Sequence, residues 1–160
     1  MLSTLVWKFF VVLETLRRWS YWKVIGKSFM AMGSGVRIDS RTEINNPQKI
    51  SIGNDVYIGK YVIVAGYGGI TIGNGVVIAA GCRITSRNHM VDAEKGYGES
   101  GYTYASVCIG DSVWLGYDVI VLPGVCIGSH SVIAAGSVVC KNVPSKQLWA
   151  GVPAKFVKSL

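Results

Sequence analysis

The chain has 160 residues, half of them hydrophobic and 16% charged, which is enough for one domain with a real core. Twenty glycines against four prolines point to many tight turns rather than to disorder. A net charge of +7 suits an anionic membrane or a polyphosphorylated cofactor, but no basic run interleaved with aromatics lies over the patterned region, so a nucleic-acid partner is not expected.

The first 31 residues form a separate segment. Leu2 to Leu13 is strongly apolar, interrupted by Lys8 and followed by Glu14, Arg17 and Arg18. A membrane-spanning helix needs about 20 apolar residues, and this run is shorter. A secretory signal would carry its basic residues before the apolar run, and here they follow it. The pattern predicts an amphipathic helix. Its aromatic and basic set, Trp7, Phe9, Phe10, Arg17, Arg18, Trp19, Trp22 and Lys23, suits the surface of a membrane. Capping the next element, or packing on another subunit, is the equal alternative, and the roles are compatible.

From residue 32 to residue 144 the chain repeats in sixes. From Ile52 it reads IGNDVY, IGKYVI, VAGYGG, and after two further residues IGNGVV, IAAGCR, ITSRNH. A loop from Met90 to Cys108 intervenes. From Ile109 it runs IGDSVW, LGYDVI, VLPGVC, IGSHSV, IAAGSV, VCKNVP. The first position is Ile38, Ile44, Ile52, Ile58, Val64, Ile72, Ile78, Ile84, Ile109, Leu115, Val121, Ile127, Ile133 and Val139, aliphatic and branched throughout. The fifth is small or Val: Val56, Val62, Val76, Cys82, Val113, Val119, Val125, Ser131, Ser137 and Val143.

A period of six fits neither a helix nor a long amphipathic strand. It fits a short strand and a corner, repeated. One aliphatic side chain per unit points into a narrow prism, the fifth residue fills the corner, and Gly or Asn supplies the turn. Three units close a triangular coil, and coils stack at about 4.8 Å. The prediction is an all-β, parallel β-helix of about five coils, 32–49, 52–69, 72–89, 109–126 and 127–144, with residues 145–160 as a short C-terminal tail. Cys82, Cys108, Cys126 and Cys140 fall within the pattern and are expected to be buried free thiols, as in a reducing compartment. Their spacing matches no zinc motif, and no metal site is expected.

The stretch from Ile109 to Val157, with VWLG, the PG corner, AAGSVV and AGVPAK, resembles the end of the hexapeptide-repeat acyltransferases. The likeness is strongest to galactoside, maltose and surface-polysaccharide O-acetyltransferases and spans residues 32–160. It implies a left-handed β-helix, a homotrimer with sites between subunits, and acetyl transfer from acetyl-CoA to a saccharide hydroxyl. The free thiols fit a cytoplasmic enzyme, and the apolar, basic N-terminus suits peripheral membrane contact through residues 1–23 on the inner face.

By the same resemblance His89 is the catalytic base, 25 residues before Trp114, and Asn88 positions the acceptor. The N–H groups around Gly116 and Tyr117 stabilise the developing oxyanion, and Trp114 walls the site. Ala134, Ala135 and Gly136 let the pantetheine arm approach the backbone. Cys140 stands where relatives carry Thr, and Lys141, Lys155 and Lys158 match basic positions near the nucleotide phosphates. The loop should overhang the site with Asp92, Glu94, Tyr97, Glu99, Tyr102 and Tyr104, of which Asp92 is the substrate candidate. His130, the other histidine, falls at an outward place in IGSHSV. Sugar N-acetyl transfer, a non-catalytic scaffold and a carbonic anhydrase-like metalloenzyme are the alternatives; two histidines argue against the last, which needs three around zinc.

Overall fold

The computed structural model describes residues 6–13, 16, 26–39, 41–92, 94 and 101–160. Five coils stack along one axis. The first holds β1 (Ala31–Met32), β2 (Arg37–Ile38) and β3 (Glu43–Asn45). The second holds β4 (Ile50–Ile52), β5 (Tyr57–Ile58) and β6 (Ile63–Ala65), and the third β7 (Ile70–Ile72), β8 (Val77–Ile78) and β9 (Arg83–Thr85). A hairpin of β10 (Arg87–His89) and β11 (Tyr102–Tyr104) interrupts the winding. The fourth coil is β12 (Val107–Ile109), β13 (Trp114–Leu115) and β14 (Ile120–Val121), and the fifth β15 (Cys126–Ile127), β16 (Val132–Ile133) and β17 (Val138–Val139). The chain ends in β18 (Gln147–Ala150) and β19 (Lys155–Ser159).

Every third strand pairs in parallel with its counterpart in the next coil, which gives the prism three faces. Face A runs β1-β4-β7-β12-β15, face B β2-β5-β8-β13-β16, and face C β3-β6-β9-β14-β17. The register is strict: Ile38, Ile58, Ile78, Leu115 and Ile133 stand above one another on face B. All first-position residues of the six-residue pattern are buried except Ile44, which is half-buried, and every fifth-position residue is buried. Each Ile or Leu so removed from water contributes about 1.5–3 kcal/mol, so the prism interior accounts for most of the apolar stabilisation.

The A/B corner is nearly identical in every coil. Gly35, Asp55, Gly75, Ser112, His130 and Lys146 all have positive φ there. From Asp55 onwards each N–H donates to a carbonyl one coil back: Ser34, Asn54, Asn74, Asp111 and Ser129 in turn. A side-chain ladder runs beside it. Asn54 Oδ1 accepts from Ser34 N–H, Asn74 Oδ1 from Asn54 N–H, Asp111 Oδ1 from Asn74 N–H, and Ser129 Oγ from Asp111 N–H. His130 is therefore an exposed corner residue, as its place in the repeat predicts.

Three expectations are corrected. The third coil does not run to residue 89; the chain leaves face C after Thr85, and the fourth coil begins at Val107, which aligns with Ile70 and is fully buried. The last residues are more than a tail. Val143 bridges Ile127 on face A, β18 pairs with β16 on face B, and Gly151 and Ala154 bond Val138 on face C, so the segment closes the end of all three ladders. Its docking explains the two serines at inward positions: Ser131 Oγ donates to Pro144 O at 2.8 Å, and Ser137 Oγ accepts from Gly151 N–H at 3.0 Å.

The third correction concerns the thiols. All four cysteines are free, but only Cys82 is buried; Cys108 is half-buried and Cys126 and Cys140 are exposed. Alternation within a strand explains this, since Cys108, Cys126 and Cys140 neighbour the inward Ile109, Ile127 and Val139 and so face out. Burial pushes the Cys82 thiol up to about 11, and its Sγ donates to Gly116 O at 3.1 Å. Burial, and then the neighbouring Cys126 thiol, also raise Cys108.

Residues 6–13 are helical, and among them only Lys8 is polar. Trp7, Phe9, Phe10 and Val12 are well exposed. Arg17, Arg18, Trp19, Trp22 and Lys23 lie outside the described residues, so the basic face of the expected amphipathic helix is not part of this description. No helix among the described residues is long and apolar enough to cross a membrane.

Candidate active site

The residues singled out in the sequence fall on different edges of the prism. The first group lines face B and the B/C corner. Trp114 opens β13 next to the inward Leu115 and so points outward, 53% exposed. Gly116 and Tyr117 turn the B/C corner of the fourth coil, and Ala134, Ala135 and Gly136 turn it in the fifth. Small residues are required here. A Cβ on Gly116 would lie 2.7 Å from the Ala135 nitrogen, and Gly136 has φ of +70° with open space beyond it.

The corner also leaves backbone donors unused. Gly116 N–H donates to Ile133 O at 2.8 Å and Ala134 N–H to Trp149 O at 2.9 Å. The Gly116 N–H is thus consumed by the ladder and is not available to an oxyanion. Among the described residues no acceptor takes the N–H of Tyr117 or of Ala135, which stand one coil apart on the same edge. Two aligned donors beside a strip of small residues can bind the carbonyl groups of an extended ligand. Lys155 and Lys158 are exposed on β19, the outermost strand of this sheet.

The second group lies at the C/A corner. His89 ends β10, opposite Tyr102 in the hairpin register, with Asn88 opposite Thr103 and Arg87 opposite Tyr104. The hairpin is anchored by the buried Ser86. Its N–H and hydroxyl both donate to Ala65 O, at 3.1 and 2.9 Å, its Oγ accepts from Gly68 N–H, and its carbonyl accepts from Ala105 N–H. The imidazole of His89 packs on the Tyr102 ring with centroids 4.6 Å apart, and His89 remains exposed. Asn88 Oδ1 accepts from the His89 N–H at 3.0 Å, which leaves its Nδ2 as a donor. Asp92 follows on the hairpin, half-buried. Cys140 and Lys141 turn the same corner two coils further on, both exposed. Tyr97 and Glu99 lie outside the described residues.

One chain does not bring the two groups together. The C/A corner and the B/C corner are the opposite edges of face C, and Trp114 projects from face B, which lies across the prism from the C/A corner. Sequence reasoning also passed over Tyr67 and Arg87. The Arg87 guanidinium carbon sits 3.7 Å from the Tyr67 ring centroid and 4.3 Å from that of Tyr102. A cavity of about 650 Å³ opens beside them, lined by Met30, Asn46, Lys49, Tyr67, Gly68, Gly69 and Tyr104. The sequence signal was the run Gly66-Tyr67-Gly68-Gly69, an aromatic among glycines at a corner where the repeat gains two residues.

Comparison with known proteins shows which family the chain resembles. The family described as bacterial transferase hexapeptide (six repeats) matches residues 109–141, and the hexapeptide repeat of succinyl-transferase matches residues 49–86. Galactoside O-acetyltransferase of Escherichia coli K12 is 30% identical over 137 residues, 86% of this chain and 67% of that one. An E. coli K12 protein named for O-acetyl transfer in lipopolysaccharide biosynthesis is 34% identical over 83% of this chain and 69% of its own. The chain spans 56 to 69% of the length of the curated relatives it matches. Among solved structures, a hexapeptide-repeat acetyltransferase of Vibrio cholerae complexed with acetyl-CoA superposes with a TM-score of 0.80 at 30% identity, covering 84% of this chain and 73% of that one.

Proposed function

The chain belongs to the hexapeptide-repeat acyltransferases, and from that membership we propose that it transfers acetyl from acetyl-CoA to a saccharide hydroxyl at a site shared by two copies of the chain. The observation that carries the reading is the division of the candidate residues between two edges of face C. A homotrimer that sets the B/C corner of one prism against the C/A corner of the next completes the site.

In this reading the pantetheine arm lies along Ala134, Ala135 and Gly136, one of its carbonyls facing the free N–H group of Ala135. Trp114 flanks the arm, Cys140 and Lys141 approach it from the C/A corner of the adjoining copy, and Lys141, Lys155 and Lys158 neutralise the phosphates as point charges. His89 of the adjoining copy takes the proton of the acceptor hydroxyl while that oxygen attacks the thioester carbonyl carbon. The oxyanion is held by Tyr117 N–H, the donor that the coil ladder leaves unused beside Gly116. The C–S bond then breaks, and the leaving thiolate takes the proton back from His89. Tyr102 and Asn88 fix the imidazole and the acceptor, with Asp92 at the acceptor side.

The test is thiol release from acetyl-CoA against a panel of sugars, nucleotide sugars and oligosaccharides, in preparations of known mass. Wild type releases thiol with some of them and runs as a trimer. Mixed trimers of His89→Ala and Ala135→Trp chains recover activity that neither variant has alone. Failure to complement would place both groups in one chain and sink the shared site.

The acceptor belongs to surface-polysaccharide or lipid-linked glycan synthesis on the cytoplasmic side of a membrane. Support comes from the exposed apolar helix at residues 6–13, which suits peripheral contact through residues 1–23. Deleting residues 1–20 should move the protein from the membrane to the soluble fraction on sedimentation. An unchanged distribution would refute the contact.

A further inference from the structure

Arg87 and His89 are two residues apart on one strand, so they lie on the same face of the hairpin, about 7 Å from each other along β10. Both rest on one ring, that of Tyr102. The second face of the guanidinium is covered by Tyr67. The cation is therefore clamped between two aromatic rings, and its edges, which carry all of its N–H donors, are left over. Among the described residues no carboxylate, carbonyl or hydroxyl accepts from those donors. The backbone of Arg87 is tied down: its carbonyl accepts from Thr85 Oγ1 at 3.0 Å.

Arg87 is half-buried, so solvent meets its edge in the free protein and an anion can replace that solvent. A stacked guanidinium is weakly hydrated and keeps its charge, and its fork matches two oxygens of one planar or tetrahedral anion. Tyr67 and Tyr104 also line the open cavity, where Lys49 adds a second cation, its ammonium held by Tyr67 O at 3.0 Å. The surroundings thus favour an anion within reach of the catalytic edge.

We propose that Arg87 is the anion-recognition residue for the acceptor, so that the saccharide acetylated here carries a carboxylate or a phosphate one sugar ring or less from the hydroxyl that reacts. This rests on the acetyl-transfer reading above and deepens it: the substrate class is an acidic saccharide, such as a uronic acid or a sugar phosphate, rather than a neutral one. Tyr67 and Tyr102 position the fork, and Tyr102 couples its location to that of the imidazole.

The experiment is thiol release from acetyl-CoA with matched methyl glycosides: a neutral hexose, its uronic acid and its 6-phosphate. For wild type, kcat/KM for at least one acidic acceptor should exceed that for the neutral one by about 10-fold or more, the two acids telling carboxylate from phosphate. Arg87→Lys should lower the acidic-to-neutral ratio by about 10-fold, through acceptor KM, because a point charge replaces the fork. Tyr67→Leu, which removes one half of the clamp, should lower the ratio in the same direction by a smaller factor, and it decides the matter if Arg87→Lys fails to fold by circular dichroism. Equal use of neutral and acidic acceptors by wild type would overturn the proposal. So would a rise in acetyl-CoA KM in Arg87→Lys, which would assign the guanidinium to the coenzyme phosphates. Absence of thiol release with every acceptor would instead overturn acetyl transfer itself, and this proposal with it.

Discussion

The A/B corner and the C/A corner belong to the same prism and are built to different rules. At the A/B corner every coil places one residue at positive φ and, from the second coil on, sends its N–H to the coil before, while Asn54, Asn74 and Asp111 pass a second line of hydrogen bonds from rung to rung. At the C/A corner the link changes as the chain climbs. It is a 3-10 turn at Pro47–Lys49, a glycine-rich 66–69, the hairpin after Ser86, and a link through Pro123 in the fourth coil. A corner whose polar groups satisfy one another has nothing left to offer a ligand. The variable corner carries His89, Arg87 and the cavity, with the buried Ser86 as an anchor. In the proposed reading, stability and chemistry thus belong to separate edges.

Substitutions on the two edges should therefore separate cleanly. The largest effect is expected from His89→Ala, which should lose about 10²-fold or more in kcat while unfolding at the wild-type midpoint and still binding CoA. Near-wild-type turnover would remove His89 from the chemistry, and a large fall in midpoint would show that the variable corner also holds the fold. A smaller effect of the opposite kind is expected at the regular corner. Asn74→Ala deletes an acceptor for Asn54 and a donor to Asp111, and should cost about 1 kcal/mol of stability by denaturant titration with kcat and KM unchanged. If Asn74→Ala altered turnover instead, the two edges would be coupled along the coil.

The fold was legible because one aliphatic residue in six cannot be hidden except in a narrow prism, and the inward residues from Ile38 to Val139 stand where that argument puts them. What lay outside the period was harder. Arg87–His89 pairs with Tyr102–Tyr104 in a local antiparallel ribbon, and ITSRNH mimics one more repeat unit, so the departure after Thr85 left no mark in the spacing. The cysteines were misjudged for a different reason. The six-residue frame says which positions point in, but the two-residue alternation of each short strand decides that Cys108 and Cys126 point out. At the candidate site, His89 was singled out by the resemblance to the family, at the break in the pattern. Tyr67 was not, since its partnership with Arg87 spans 20 residues and arises only when one coil stacks on the next.

The closure of the last coil has a consequence for the molecule as an object. A parallel ladder is a template: its exposed edge repeats the one beneath it and invites another copy to add end to end, as in a growing fibre. Here β19 runs back against β18, so the outermost strand presents reversed polarity and carries Lys155 and Lys158. An incoming coil meets mismatched hydrogen bonds and like charge. The sixteen residues that follow the repeat thus oppose end-to-end addition at that end of face B.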